Sequence, residues 1–353
     1  MSSGRMSSRA EAAARILKKC FDADARYYLE DYVGSGFQAD VFRIRKTSQT
    51  VTGPELAAVK IPASSSAVLF GGILDFMSEQ AALEALIGAA HVVQPLHFSP
   101  TDPLEPGASE LPAHEWMYME WLENGTLKTF LTRASRANIA LPNRVMWRIF
   151  LCYVRMCVAL AWPDAHDPNN IQLEALRNDV PTHAIENTDP NSGNMVFGSF
   201  VPDPSHVEHG IMPIMKMIDL GFVKRRETPD LWIWRSTVKG FIGRIGTEMS
   251  KIINVGRPGI TNADVDPNMQ QLVTACQASE TASRPGIHDL APAVADAVQN
   301  RDAAWYRQNV PGQDSSKEED DTIIALVRSL FLDAPAAPPA PTGFAPNTAR
   351  AAS

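Results

Sequence analysis

Short β-type runs dominate the first third of the chain, and helical patterns dominate the rest. Residues 9–22 are rich in helix formers and predict a short N-terminal helix. From Tyr27 to Ile44, aromatic and β-branched residues flank Gly34-Ser35-Gly36, which predicts a hairpin. Leu56-Ala57-Ala58-Val59-Lys60-Ile61-Pro62 reads as an apolar strand carrying one lysine. Residues 72–88 place Phe76, Leu83 and Leu86 at helical spacing and stop at Gly88. Two strands, Val92–Phe98 and Trp116–Trp121, are predicted on either side of a Pro/Gly/Glu-rich loop at 99–113. Residues 143–162 predict a long apolar helix, and 163–186 a polar connector. Met212–Ile218 reads as a short buried strand, and a further apolar helix runs from about Val238 to Ile253. Asp266–Val298 predicts two helices around Arg284-Pro285. The acidic cluster Glu318–Asp321 opens a last helix ending near Leu332, where its charge suits the helix dipole. From Asp333 onward Pro and Ala dominate, so that tail is expected to be disordered.

Composition narrows the function classes. The 353 residues include 32 basic and 40 acidic ones, net −8, which argues against a general nucleic-acid binder or a binder of anionic membranes. Cys20, Cys152, Cys157 and Cys276 lack metal-ligand spacing, and so few cysteines in so long a chain suggest a reducing compartment. The polar start, Met1–Ala10, is unlike a signal peptide, and the apolar stretch Ile149–Trp162 is interrupted by Arg155 and too short to span a bilayer. The expectation is a soluble cytoplasmic or nuclear protein without nucleic-acid or membrane partners.

The candidate chemistry lies in two places. A lysine within a buried strand is costly unless paired, so Lys60 calls for an anion. Asn187-Thr188-Asp189 is followed five positions after Asp189 by Asn194, and then, after an apolar strand, by Asp219-Leu220-Gly221. Phosphoryl transfer is catalysed by positioning and charge neutralisation, so it needs metal ligands and a group to orient the nucleophile. Asp189 suits the second role. Asn194 and Asp219 offer oxygen ligands for Mg²⁺.

In this order the chain resembles the eukaryotic protein kinase family, in the form of its divergent fungal members. The resemblance covers roughly residues 27–300, with Asn187-Thr188-Asp189 standing for His-Arg-Asp and Asp219-Leu220-Gly221 for Asp-Phe-Gly. It implies an α+β, two-lobed fold: a small β-rich N-lobe with one main helix (27–122) and a larger helical C-lobe (123–300). Helical extensions at 1–26 and 301–332 and the tail at 333–353 would flank them. It further implies ATP and Mg²⁺ as cofactors. Gly34, Ser35, Gly36, Ala39 and Val41 would form the phosphate-covering loop, with alanine at the third glycine position. Lys60 would grip the α- and β-phosphates and pair with Glu79, chosen over Glu84. Ala58, Met119, Glu120, Leu122 and Val196 would line the adenine site, with Met119 as gatekeeper and Glu120 and Leu122 in the hinge. Asp189 would be the catalytic base, and Asn194 and Asp219 the metal ligands.

The departures from the family bear on regulation and peptide recognition. Thr188 replaces the arginine that holds an activation-loop phosphate, so no phosphate switch is expected in 222–240 despite Thr228, Ser236 and Thr237. About twenty residues separate Gly221 from the next expected helix, and no Ala-Pro-Glu triplet lies there. Arg284 has no evident partner, and Phe241 stands where an aspartate braces the catalytic loop. The expected function is ATP-dependent transfer of phosphate to a hydroxyl of a protein substrate. The alternatives are a pseudokinase or ATP-binding scaffold, and a kinase of small molecules.

Overall fold

Helix α1 (Ser8–Asp22) turns Ala14, Leu17 and Phe21 inward, and these cover one face of a four-stranded antiparallel sheet. The sheet runs in the order β1 (Tyr27–Ser35), β2 (Ala39–Lys46), β3 (Leu56–Pro62), β4 (Met117–Glu120). Period-2 alternation sends Tyr27, Leu29, Phe42, Ile44, Ala57, Val59 and Ile61 into the core beneath α1, with Trp116. The computed structural model describes residues 6–22, 26–36, 39–51, 53–62, 72–96, 116–178, 183–187, 189–203, 206–221, 223–227, 230–256, 264–310 and 314–331. The loop at 99–113, Thr188, Thr228 and the Pro/Ala tail lie outside the described residues.

The chain is α+β and divides into two units, one of Met1–Glu84 with Gln94–Trp121, the other of Ala85–Val93 with Leu122–Ala334. Helix α2 (Gly72–Ala85) closes the first segment, and the turn after it carries Gly88, whose φ of +92° is the left-handed conformation that favours glycine. A Cβ there would stand 2.2 Å from the Asp167 carbonyl oxygen.

The second unit is built around α4 (Asn143–Ala161), which follows α3 (Leu127–Arg136). Every residue of α4 except Arg155 is buried, as expected of a helix apolar on all sides and covered all round. Around it stand α5 (Leu231–Ile253), α6 (Pro267–Cys276), α7 (Ile287–Asn300), α8 (Ala303–Asn309) and α9 (Asp320–Phe331). Two small antiparallel sheets pair β5 (His183–Asn187) with β8 (Val223–Glu227) and β6 (Met195–Phe197) with β7 (Met215–Met217). Pro142 precedes α4 and gives no side-chain cap. The buried Glu318 carboxylate caps it instead, accepting from the Asn143 and Arg144 N–H groups at 2.9 and 3.0 Å. Glu318 therefore serves α4, while Asp320 and Asp321 occupy the first turn of α9.

Several expected elements change. The described part of Val92–Phe98 is not a ladder strand: it makes isolated bridges, Val92 to Met217 and Pro95 to Met119. The 163–186 connector ends in β5. Helix α5 begins at Leu231, seven residues earlier than expected, because Asp230 caps it through the Trp232 N–H. The interval after Gly221 is thus about half the expected length, and most of it is β8. No helix among the described residues is long and apolar enough to cross a membrane.

Candidate phosphoryl-transfer residues

In the first unit, three neighbouring strands set Gly34 opposite Val41 and Val41 opposite Lys60. The Gly36 N–H donates to the Ala39 carbonyl at 2.8 Å, closing the turn on itself. A Cβ at Gly34 would meet nothing within 4 Å, so the backbone there has open space beside it. Lys60 is buried in β3, and its Nζ donates to Glu79 Oε1 of α2 at 2.5 Å. Glu84, the competing glutamate, is exposed one turn further along. Ala58 sits opposite Met119 in the β3–β4 register, both buried. Glu120 N–H donates to the Gln94 carbonyl at 3.0 Å, and its carboxylate accepts from the Gln94 N–H at 2.8 Å. That peptide N–H is therefore committed within the unit.

In the second unit, the β6–β7 hairpin and the loop before it hold the other candidates. Asn194 Nδ2 donates to both the backbone oxygen and Oδ2 of Asp189, each at 3.0 Å. The Ile218 N–H donates to the Asn194 carbonyl at 3.0 Å, which sets Asp219 beside Asn194 at the end of β7. Asp219 Oδ1 accepts from the Gly221 N–H at 3.0 Å, so a tight turn fixes one carboxylate oxygen. Asp189, Asn194 and Asp219 are thereby held in one place. The Asn194 amide spends its NH₂ on Asp189, which leaves its oxygen as the ligand atom. With the Asp219 carboxylate this is a hard-oxygen donor set of the type Mg²⁺ takes. Val196 follows in β6, and Leu122 packs on Gly198 just beyond that strand.

The sequence matches no family model and no curated protein.

Asn187 shows how the loop is braced without a histidine. Its Oδ1 accepts from the Asp189 N–H at 2.7 Å, and its Nδ2 contacts the Met217 sulfur at 2.9 Å. Its backbone oxygen accepts from Arg244 Nη1 of α5 at 2.7 Å. The brace from α5 is thus Arg244 and not Phe241, which is buried. Arg244 lies three positions after Phe241, hence on the same helix face, and its charge inside an apolar run was the available signal. Arg284, expected to lack a partner, donates to the Ala278 carbonyl at 2.9 Å and the Lys239 carbonyl at 3.1 Å. It packs against Gly243, where a Cβ would come within 2.4 Å of the guanidinium. Two backbone oxygens of this unit thus hold the Arg284 guanidinium.

Proposed function

We propose that this chain is an ATP-dependent phosphotransferase of the protein-kinase type, acting on a hydroxyl of a protein substrate. The observation that carries the reading is the Asp189–Asn194–Asp219 set, held by four hydrogen bonds on two adjoining loops. Asp189 accepts or orients the proton of the substrate hydroxyl. Asn194 and Asp219 would hold Mg²⁺, which when bound neutralises phosphate charge. Lys60, paired with Glu79, would serve the α- and β-phosphates. Arg244 and Asn187 act by positioning: they hold the backbone on which Asp189 stands.

The test is incubation of the purified chain with labelled ATP, Mg²⁺ and a panel of protein and small-molecule acceptors. Phosphate should appear on a protein, either the chain itself or an acceptor. Asp189→Asn should lower the rate by about 10²–10⁴-fold, the range for a lost general base. Asp219→Ala should abolish Mg²⁺-dependent turnover. Binding of ATP with no transfer would favour the scaffold alternative, and label confined to small acceptors would favour the third.

A further inference from the structure

A second group of chemically able side chains lies inside the second unit, apart from the residues discussed so far. The segment 89–93, the middle of α4 and the turn at 206–211 bring His91, Cys152 and His209 together. One ligand atom from each, a ring nitrogen or the sulfur, lies within 4.8 Å of the others. We propose that these three side chains bind one zinc ion.

Four observations support this. First, the His91 ring is fully buried, and its Nε2 makes no hydrogen bond of ordinary geometry, the Cys152 sulfur being the group it interacts with on that side. Both ring nitrogens of His209, whose side chain is 12% exposed, also make no hydrogen bond. Buried polar atoms without partners are uncommon, and a missing ion is one of the standard reasons for them. Second, His91 is oriented as a ligand. Glu174 is completely buried and accepts from the His91 N–H and meets Nδ1, both at 2.7 Å. A carboxylate on one ring nitrogen fixes the tautomer and presents the other nitrogen to a metal. Third, the donor types match. Two imidazoles and a thiolate suit Zn²⁺, which takes three protein ligands with a fourth position left for water. Fourth, the Cys152 thiolate and the Glu174 carboxylate would offset the two charges of the ion, and Glu208 is paired with Arg155, while the buried Arg148, held by backbone carbonyls, remains a further cation near Cys152 and His209.

Bonds of about 2.0–2.3 Å to a tetrahedral ion place its ligand atoms roughly 3.3–3.7 Å apart, so the cluster needs to contract by about 1 Å. Side-chain rotation at the surface turn carrying His209 supplies that. Zinc binding displaces the Cys152 proton and joins three segments that are distant in the chain. One of them, at His91, accepts from the Met217 N–H of β7 at 2.9 Å, two residues before Asp219. The metal-free competitor is a buried ion pair. Burial opposes a proton on His91, but the Glu174 carboxylate together with the Cys152 sulfur outweighs it and holds that proton up to about 10.

The experiment uses the full chain. Elemental analysis after purification in zinc-supplemented medium should give about one zinc per chain. After chelation, titration with Co²⁺ should produce thiolate-to-cobalt charge-transfer absorption at one equivalent. Cys152→Ser should remove that absorption, and His209→Ala should weaken Co²⁺ binding at least tenfold, while His206→Ala, a neighbouring control, should leave it intact. Chelation should lower the melting temperature by roughly 5–10 °C, as loss of a well-populated ligand does in a unit of this size. If Cys152→Ser fails to fold, the parent spectrum and metal content still decide. A parent chain that folds, holds no zinc and shows no thiolate–cobalt band overturns the proposal in favour of the His91–Glu174 ion pair alone.

Discussion

Removing the Glu79 carboxylate would leave the Lys60 ammonium buried beside a neutral amide. Breaking one side of a buried pair is costly because the remaining charge keeps its desolvation penalty and loses the carboxylate that offset it. Glu79→Gln should therefore destabilise the first unit by about 3–5 kcal/mol, whereas Glu84→Gln, at an exposed position, should stay within about 0.5 kcal/mol. Urea unfolding followed by fluorescence near Trp116 measures both. A joint Lys60→Met, Glu79→Leu change should recover most of the loss, since apolar replacement of a whole buried pair is often neutral. Equal effects of the Glu79 and Glu84 changes would mean that the pair contributes nothing to stability. If the double variant is stable but inert towards ATP, the pair is kept for chemistry rather than for folding.

At the scale of elements, α4 shows a helix whose stability is supplied from far along the chain. Its first N–H groups have no local cap, and Glu318 reaches them from 175 and 174 residues away. Glu318→Ala should cost the second unit about 2–3 kcal/mol, because two charge-assisted hydrogen bonds go and two buried donors are orphaned. Glu319→Ala, which loses only an exposed contact with Arg307, should cost less than about 1 kcal/mol. Comparable losses in the two variants, read by circular dichroism in a urea series, would refute the capping role. The same helix shows what was legible in the sequence. Its apolar run announced it, as helical spacing announced α2 and the glycine-flanked hairpin announced β1 and β2. Short elements escaped. Helix α3 buries only Leu127, Phe130 and Ala134 among polar neighbours, although its Thr126 cap was in plain view. Val92–Phe98 has the composition of a strand, but the backbone bonds of its described residues are divided: Val93 N–H goes to Met217 and Leu96 N–H to Tyr118, so no single ladder forms among them. In the first unit the Lys60–Glu79 contact was expected through the order of elements in the resembled family, and in the second the Asp189–Asn194 contact through a spacing of five. The His91–Cys152–His209 cluster was not legible, since tertiary folding alone brings those residues together, and a charge inside an apolar run was the one signal of the Arg244 brace.

Across the whole molecule, the four cysteines report on the two units separately. Cys20 is half-buried in α1, and Cys152, Cys157 and Cys276 are buried in the second unit; none of the four is in a disulfide. The reactive species is the thiolate, so burial protects twice, by excluding reagent and by raising the pKa. Burial pushes Cys20 up, with Lys19 partly opposing it. Burial pushes Cys276 up to about 12, Arg284 opposing, and drives Cys157 higher still with Cys276 beside it. At pH 8 a thiol of pKa about 12 is thiolate in only roughly one molecule in ten thousand, against about one in ten at its ordinary value of 9.0. An aromatic disulfide reagent should therefore modify one thiol per native chain quickly, and four in strong denaturant. Cys20→Ala should remove the fast reaction, and raising the pH from 7 to 9 should accelerate it in the parent. In a urea series the Cys20 rate should follow loosening of α1 from its sheet, and the Cys157 and Cys276 rates the opening of the α4–α5–α6 core. If Cys157 or Cys276 reacts as fast as Cys20 without denaturant, the second unit opens on the timescale of labelling, and the packing around α4 is not what keeps these thiols inert.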